Sequence, residues 1–273
     1  MKILKIYPNI DTPSSYNYHI NYDIWDKIDG DKVVLGHEII NFDNYDVLFL
    51  PMYKRWSGSY ETLNRAKESR AKTVLFDNDS HYRKFSDPFY NNIDFIFYRC
   101  TDQDNNPPTS PSQFLKWSID TSKYLPKYEN SDVSFCCSVH EKYYPLRYEI
   151  DKQVIKAKSF KGAEYIKHLQ DSSAMIHTAE YFDPKLTPIV RSKALEIASC
   201  GSEIISNPSS NMSDYYPLEL IRIFKDISEL KNIIKNFSPN IETQKKLRKI
   251  TEDKHDSRVR AKEVVEKIKE VLF

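Results

Sequence analysis

The chain of 273 residues holds only five glycines, and none follows its first apolar run: after Ile3 to Tyr7 the text continues Pro8-Asn9-Ile10-Asp11. Backbone that approaches a phosphate closely at a strand-to-helix turn needs glycine there. The absence argues that the N-terminal half does not cradle a nucleotide. Cysteine is scarce as well. Cys100, Cys136, Cys137 and Cys200 sit beside or within apolar runs and form no C-x-x-C pair, so they read as reduced core thiols rather than zinc ligands. An excess of charge of one sign is missing: 40 basic against 39 acidic residues leave +1, a balance that calls for neither nucleic acid nor an anionic membrane. No run approaches the roughly 20 apolar residues of a membrane span, and the apolar part of MKILKIYPNID is too short for a signal peptide. The expectation is a cytoplasmic protein with no transmembrane segment.

Tyrosine, by contrast, is abundant, with 19 residues. Such rings stack on sugars or bases, but most are expected to fill the core. The length suits about two domains, each with a core of its own. Through the first half apolar runs alternate with polar segments, which points to a parallel sheet covered by helices. Ile3 to Tyr7, Val33 to Gly36, Val47 to Met52, Thr73 to Phe76 and Ile93 to Tyr98 read as strands, with Ser59 to Arg70 as a crossover helix. The segment TDQDNNPPTSPS, Thr101 to Ser112, reads as a loop, because prolines and small polar residues suit neither ladder nor helix. A hinge is placed near Lys123 to Asn130. Beyond it the reading is a strand from Asp132 to Val139, a helix from Tyr144-Pro145 through Lys156, and a strand from Ser173 to His177. Then come a helix from Ile189 to Ser199 and strands at Glu203 to Ser206 and Leu220 to Phe224. A helix capped by Asp226 or Ser228 and a last helix from Ser257 to Leu272 complete the chain.

The most telling stretch is Arg191 to Gly201, RSKALEIASCG. Ala194, Leu195, Ile197 and Ala198 recur at helical spacing, Arg191, Lys193 and Glu196 leave a charged edge, and Gly201 supplies the stop before a strand. In an open α/β sheet such a helix aims its N-terminal N–H groups at the crevice where ligands bind. The pattern Arg-x-x-x-x-Glu-x-x-x-Cys-Gly resembles the nucleotide-sugar-binding segment of GT-B-type glycosyltransferases, in the branch with a shortened family-1-like (spore-maturation-protein-like) donor domain. Further phrases recur in the same order: VSFCCS with Tyr144-Pro145-x-Arg147, the run Lys225 to Leu230, and His255 with Arg258 and Arg260. The run Phe114 to Asp120 resembles the phrase by which such enzymes leave their first domain, with Lys116 in place of a proline. The resemblance implies an α/β, GT-B-like fold of two Rossmann-like domains with a cleft between them. Residues 1–125 would form the acceptor-side domain, 126–256 the nucleotide-sugar domain, and 257–273 a helix crossing back to the first.

It also implies roles. Glu196 would accept both ribose hydroxyls, as an acidic residue does in dinucleotide folds. Arg147, Arg191 and Lys193, each at a strand-to-helix junction, would neutralise the diphosphate as it leaves, without an obligatory metal. Ser138 and His177 complete the candidate nucleotide-sugar contacts. In these enzymes a second acidic residue often precedes the ribose glutamate by eight positions, and here Pro188 stands there; Tyr181, Phe182 or Asp183 are the replacements at hand. In the first half the cluster Phe76 to Arg83 ends a strand, and Asp79 or His81 would take the proton from the acceptor hydroxyl. Asp77 and Asp79 would instead form a divalent-metal pair if the protein were of the GT-A type. The expected activity is transfer of a sugar from a UDP- or GDP-linked donor to a glycan or glycolipid hydroxyl. Two alternatives stand beside it: a viral-type enzyme that glycosylates hydroxymethylated DNA bases, and a non-catalytic nucleotide- or glycan-binding module.

Overall fold

The computed structural model describes residues 1–7, 23–34, 40–51, 59–77, 84–99, 106–128, 132–180 and 190–273. The chain divides into two compact units. Unit 1 comprises Met1–Pro13, Ile24–Lys116 and Ala261–Phe273; unit 2 comprises Ser14–Asp23 and Trp117–Arg260.

Unit 1 is built on a six-stranded parallel sheet of β1 (Ile3–Tyr7), β2 (Asp31–Val34), β3 (Val47–Pro51), β4 (Lys72–Asp77), β5 (Phe95–Tyr98) and β6 (Ser112–Phe114), in the order β2-β1-β3-β4-β5-β6. Helix α1 (Ser59–Glu68) supplies the crossover from β3 to β4. Strand alternation divides the core into two faces. Leu4, Ile6, Leu48, Leu50, Leu75 and Ile96 pack on one face. The other carries a run of rings in which Phe76 lies 5.2 Å from Phe49, 5.1 Å from Phe97 and 5.4 Å from Trp25, centroid to centroid. Lys5, pointing into this aromatic face, is buried; its ammonium donates to the carbonyls of Trp25 and Ile28 at 3.1 and 2.5 Å, which closes the 25–27 helical turn. Gly30 enters β2 at φ +150, and a Cβ there would stand 2.7 Å from the Ile3 carbonyl oxygen, so no other residue fits without a shift.

Unit 2 holds a four-stranded parallel sheet, β10-β9-β8-β7, made of β7 (Val133–Ser134), β8 (Ala174–His177), β9 (Glu203–Ser206) and β10 (Arg222–Ile223). Its helices are α2 (Pro145–Gln153), α3 (Gly162–Gln170), α4 (Ser192–Ser199), α5 (Ile227–Lys235) and α6 (Ile241–Ile250); after a π-helical turn at Thr251–His255 the long α7 (Ser257–Leu272) begins. Both faces of this sheet are covered. Met175 and Ile204 pack with Leu169, Leu195 and Leu247, whereas Ala174, Ile176 and Ile205 pack with Phe135, Ile150 and Leu230. Asp226 caps α5, its carboxylate accepting the Glu229 N–H at 2.8 Å. Arg248 of α6 is a hub: Nη1 donates to the carbonyls of Tyr124 (2.6 Å) and Ser199, Nη2 to that of Thr121 (3.2 Å), and Nε to Glu252 (2.7 Å). Asp256 accepts from the Thr121 hydroxyl and from Arg258; burial works against its charge, but these partners hold its carboxyl down to about 2.

Several expected elements differ. The strand expected over Asp132 to Val139 ladders only at Val133–Ser134, because beyond Phe135 the chain leaves β8 and Cys136 instead bridges Lys158. The strand expected over Leu220 to Phe224 is likewise reduced to Arg222–Ile223. The Pro-rich loop gives way to β6 at its last residue, Ser112. Helices α3 and α6 were not anticipated.

Candidate functional site

In parallel sheets ligands gather at the carboxyl ends of the strands. In unit 2 that edge brings together residues far apart in sequence. β8 ends at His177 and β9 at Ser206, and the parallel register sets these two directly side by side. The His177 Nδ1 lies 2.9 Å from the Ser206 hydroxyl, which in turn donates to the Asn207 carbonyl at 2.9 Å. Asn207 accepts the Ala179 N–H at 2.8 Å and so fixes the chain leaving β8.

Arg147 stands in the first turn of α2, which opens with Pro145 at a position where the missing N–H costs nothing. Its Nε donates to the Thr178 hydroxyl at 2.8 Å, and its guanidinium lies over the Tyr144 ring at 4.0 Å. The Glu180 carboxylate receives the N–H groups of Leu146 and Arg147 at 2.8 and 3.3 Å, and also lies 3.9 Å from Arg147 Nε. Burial pushes the Glu180 carboxyl up, against the pull of those N–H groups and of Arg147 and Arg191. The helix start is thus taken by an internal acid, and Arg147 has an ion-pair partner that composition alone left open.

Arg191 is the N-cap residue of α4, and Lys193 follows in its first turn. The Lys193 ammonium donates to the Cys136 carbonyl and lies 4.9 Å from the centre of the Tyr165 ring. These cations also act on their neighbours through charge. His177 is held down to about 3, by burial first and then by Arg147, Lys193 and Arg191. The Cys137 thiol is pushed up to about 11 by burial, with Arg147 and Lys193 pulling the other way. Arg147, Lys193 and Arg191 thus all act electrostatically on one neutral imidazole, an arrangement suited to an anionic ligand. Ser138, the remaining donor-site candidate, is exposed in the loop after β7.

Glu196 is placed differently from its sequence surroundings. The charged edge expected for α4 is absent: every residue from Ala194 to Ser199 is buried, and Glu196 is 0% exposed. From Ala194 onward the helix is enclosed on all sides, its polar Glu196 and Ser199 included. Its carboxylate accepts the Tyr165 hydroxyl from α3. Gly201 does end the helix, at φ +76, where a Cβ would stand 2.7 Å from the Tyr128 ring.

In unit 1 the Asp77 carboxylate is buried at the end of β4 and accepts the Tyr90 hydroxyl at 2.7 Å. Among the described residues no group of three or more His, Cys, Asp or Glu side chains is placed to hold a metal ion. Asp79 and His81, the expected acceptor-side bases, lie outside the described residues, as do Tyr181, Phe182, Asp183 and Pro188. Among the described residues no helix is long and apolar enough to cross a membrane. Sequence reasoning missed Ser206 and Thr178 as neighbours of the site. Their signal was available in the adjacency of parallel strand ends.

No family model matches the chain, and no curated protein does. Solved structures do. HepE of Anabaena in complex with UDP-glucose aligns with a TM-score of 0.66 at 10% identity, covering 99% of this chain and 100% of that one. Sucrose-phosphate synthase from Thermosynechococcus elongatus aligns at 0.64 and 8% identity, covering 100% and 99%. An alpha-glucosyltransferase in complex with UDP-glucose and DNA containing an abasic site aligns at 0.65 and 12% identity, covering 98% and 99%. With two parallel-sheet α/β units in one chain and these neighbours, the fold is the GT-B fold of two Rossmann-like domains.

Proposed function

We propose that the protein is a glycosyltransferase that holds a UDP- or GDP-linked sugar in unit 2 and moves the sugar to an acceptor hydroxyl. The observation that supports this reading best is that Arg147, Arg191 and Lys193 all act electrostatically on neutral His177 at the carboxyl edge of the unit 2 sheet, with Arg147 held by Thr178 and Lys193 by the Cys136 carbonyl. Departure of a nucleoside diphosphate builds negative charge on the leaving oxygen while the anomeric carbon passes through an oxocarbenium-like state. Fixed cations at that edge lower the barrier by meeting the charge as it develops. Arg147 is held for this by Thr178 and Tyr144, and Lys193 by the Cys136 carbonyl. The acceptor hydroxyl gives its proton to Asp79 or His81 in this proposal, and residues 1–125 serve the acceptor. The site cations do the electrostatic work, and no step is routed through a metal; a divalent ion would enter only through Asp77 and Asp79.

Glu196 joins the proposal together with Tyr165. The Tyr165 hydroxyl engages one oxygen of its carboxylate, and two variants separate the possible roles. A ribose ligand predicts that Glu196→Gln weakens nucleotide binding far more than Tyr165→Phe does. An interior anchor predicts that both lower the melting temperature alike and leave binding in place.

A thermal-shift screen against UDP- and GDP-sugars tests the whole reading, because a ligand that binds only the folded state raises its stability by mass action, by about 2.7 kcal/mol at a hundredfold excess over Kd. A panel without a single shift would overturn it. The acceptor is proposed to be a glycan or glycolipid. A DNA acceptor is the second reading, favoured by likeness to the alpha-glucosyltransferase whose structure contains DNA. Retention on heparin or duplex DNA that collapses steeply with added salt would favour it, since phosphate neutralisation carries such binding.

A further inference from the structure

His177 carries one polar atom that the fold leaves unmet. The imidazole is 2% exposed, and its Nε2 has no hydrogen-bond partner among the described residues, although Nδ1 is engaged. A buried polar atom without a partner costs free energy, and in a native site it marks a place for a ligand or a water. Its chemical character follows from the neighbours. The one proton of the Ser206 hydroxyl goes to the Asn207 carbonyl, so Ser206 Oγ must accept from His177, and Nδ1 carries the ring proton. Arg147, Lys193 and Arg191 all act against a second proton on the ring. Nε2 is therefore a bare lone pair, an acceptor set among cations.

An acceptor cannot bind a phosphate oxygen. We infer that His177 Nε2 receives a hydrogen bond from a neutral donor group of the nucleotide sugar, a hydroxyl or a ring N–H, while the surrounding cations take the diphosphate. The assignment rests on the proposed function and adds a division of labour to it. Arg147, Arg191 and Lys193 read charge, and His177 reads a hydroxyl or N–H that inorganic diphosphate lacks. Ser206 is a positioning residue that acts through the imidazole by holding the tautomer.

The test uses the full chain and two readouts. Nitrogen-15 NMR of the histidine rings in the free protein is expected to show His177 as the neutral Nδ1–H tautomer at pH 6 to 8; an Nε2–H tautomer or an imidazolium overturns the assignment. Calorimetric titration then compares wild type with His177→Phe, which keeps an aromatic ring and removes the acceptor, and with Ser206→Ala, where the tautomer is released and the imidazole retained. The affinity of His177→Phe is expected to fall about 10- to 100-fold for UDP-glucose, with inorganic pyrophosphate binding unchanged. Ser206→Ala is expected to fall less and to show the Nε2–H tautomer appearing. An equal loss for UDP and UDP-glucose locates the donor group on the nucleoside, and 2′- and 3′-deoxy-UDP then identify or exclude each ribose hydroxyl. A loss confined to UDP-glucose locates it on the sugar. Undiminished UDP-glucose binding by a folded His177→Phe overturns this assignment alone. A wild type that binds no nucleotide sugar overturns the proposed function and this assignment with it.

Discussion

Two regions of the molecule treat buried charge in opposite ways. In unit 1 three buried or half-buried ions have hydrogen-bond partners: Lys5 gives its protons to two carbonyls, Asp94 accepts from Lys72 and Thr73, and Asp77 accepts from Tyr90. At the carboxyl edge of the unit 2 sheet, three cations act on one neutral ring, with Glu180 as the acid beside Arg147. A charge matched by its neighbours is a device for folding. Like charges gathered in one place raise the energy of the empty protein and lower it again only when an anion arrives.

Acid should strike the second pattern hardest. The His177 proton affinity is depressed from 6.5 to about 3, so the unfolded chain binds the proton that the folded one refuses. Stability is therefore complete above about pH 6.5 and is lost as pH falls toward 3, by about 5 kcal/mol at full effect. Chemical denaturation of His177→Phe across that range is expected to show a slope smaller by up to one proton than wild type; identical slopes would mean that the ring is not held neutral by its surroundings. Next comes the Arg147→Ala, Lys193→Ala double variant, expected to lose nucleotide-sugar affinity by at least about 100-fold, each being a charge-assisted contact worth about 1.5–3 kcal/mol. Its melting temperature should hold or rise, because repulsion is relieved; a steep fall would place these cations with the folding ions of unit 1. The smallest effect is expected from Lys5→Met, which keeps the aliphatic stem and leaves the Trp25 and Ile28 carbonyls unmet. It should cost about 2 kcal/mol of stability in denaturant and leave nucleotide binding untouched.

Much of this was legible where sequence period and burial agree. β1, β9 and α7 begin and end where the text places them, since each is a clean run with its punctuation beside it. α3 was hidden because Lys161, its N-cap, makes no capping hydrogen bond, and Gly162 opens it at φ +55. α6 was hidden by composition: IETQKKLRKI shows few apolar residues, although Asn240 does cap it, accepting the Thr243 N–H at 3.1 Å. Arg147, Arg191, Lys193 and His177 could be singled out because strand-to-helix junctions announce themselves in the sequence. What surrounds them could not. The Ser206 contact needs the strand register, the capture of the α2 start by Glu180 needs the loop path, and the interior setting of Glu196 needs α3, which supplies Tyr165.

The guanidinium of Arg248 reaches further than its own helix. By holding the Ser199 carbonyl it grips the last residue of α4, and the same group ties down Thr121 and Tyr124. A rod of eight residues is only about 12 Å long, too short to bend, so whatever clamps its tail also aims its head. The setting of the α4 head, where Arg191 and Lys193 stand, is therefore fixed in part from the rear of the unit, by a residue of α6 that lies a full helix length away.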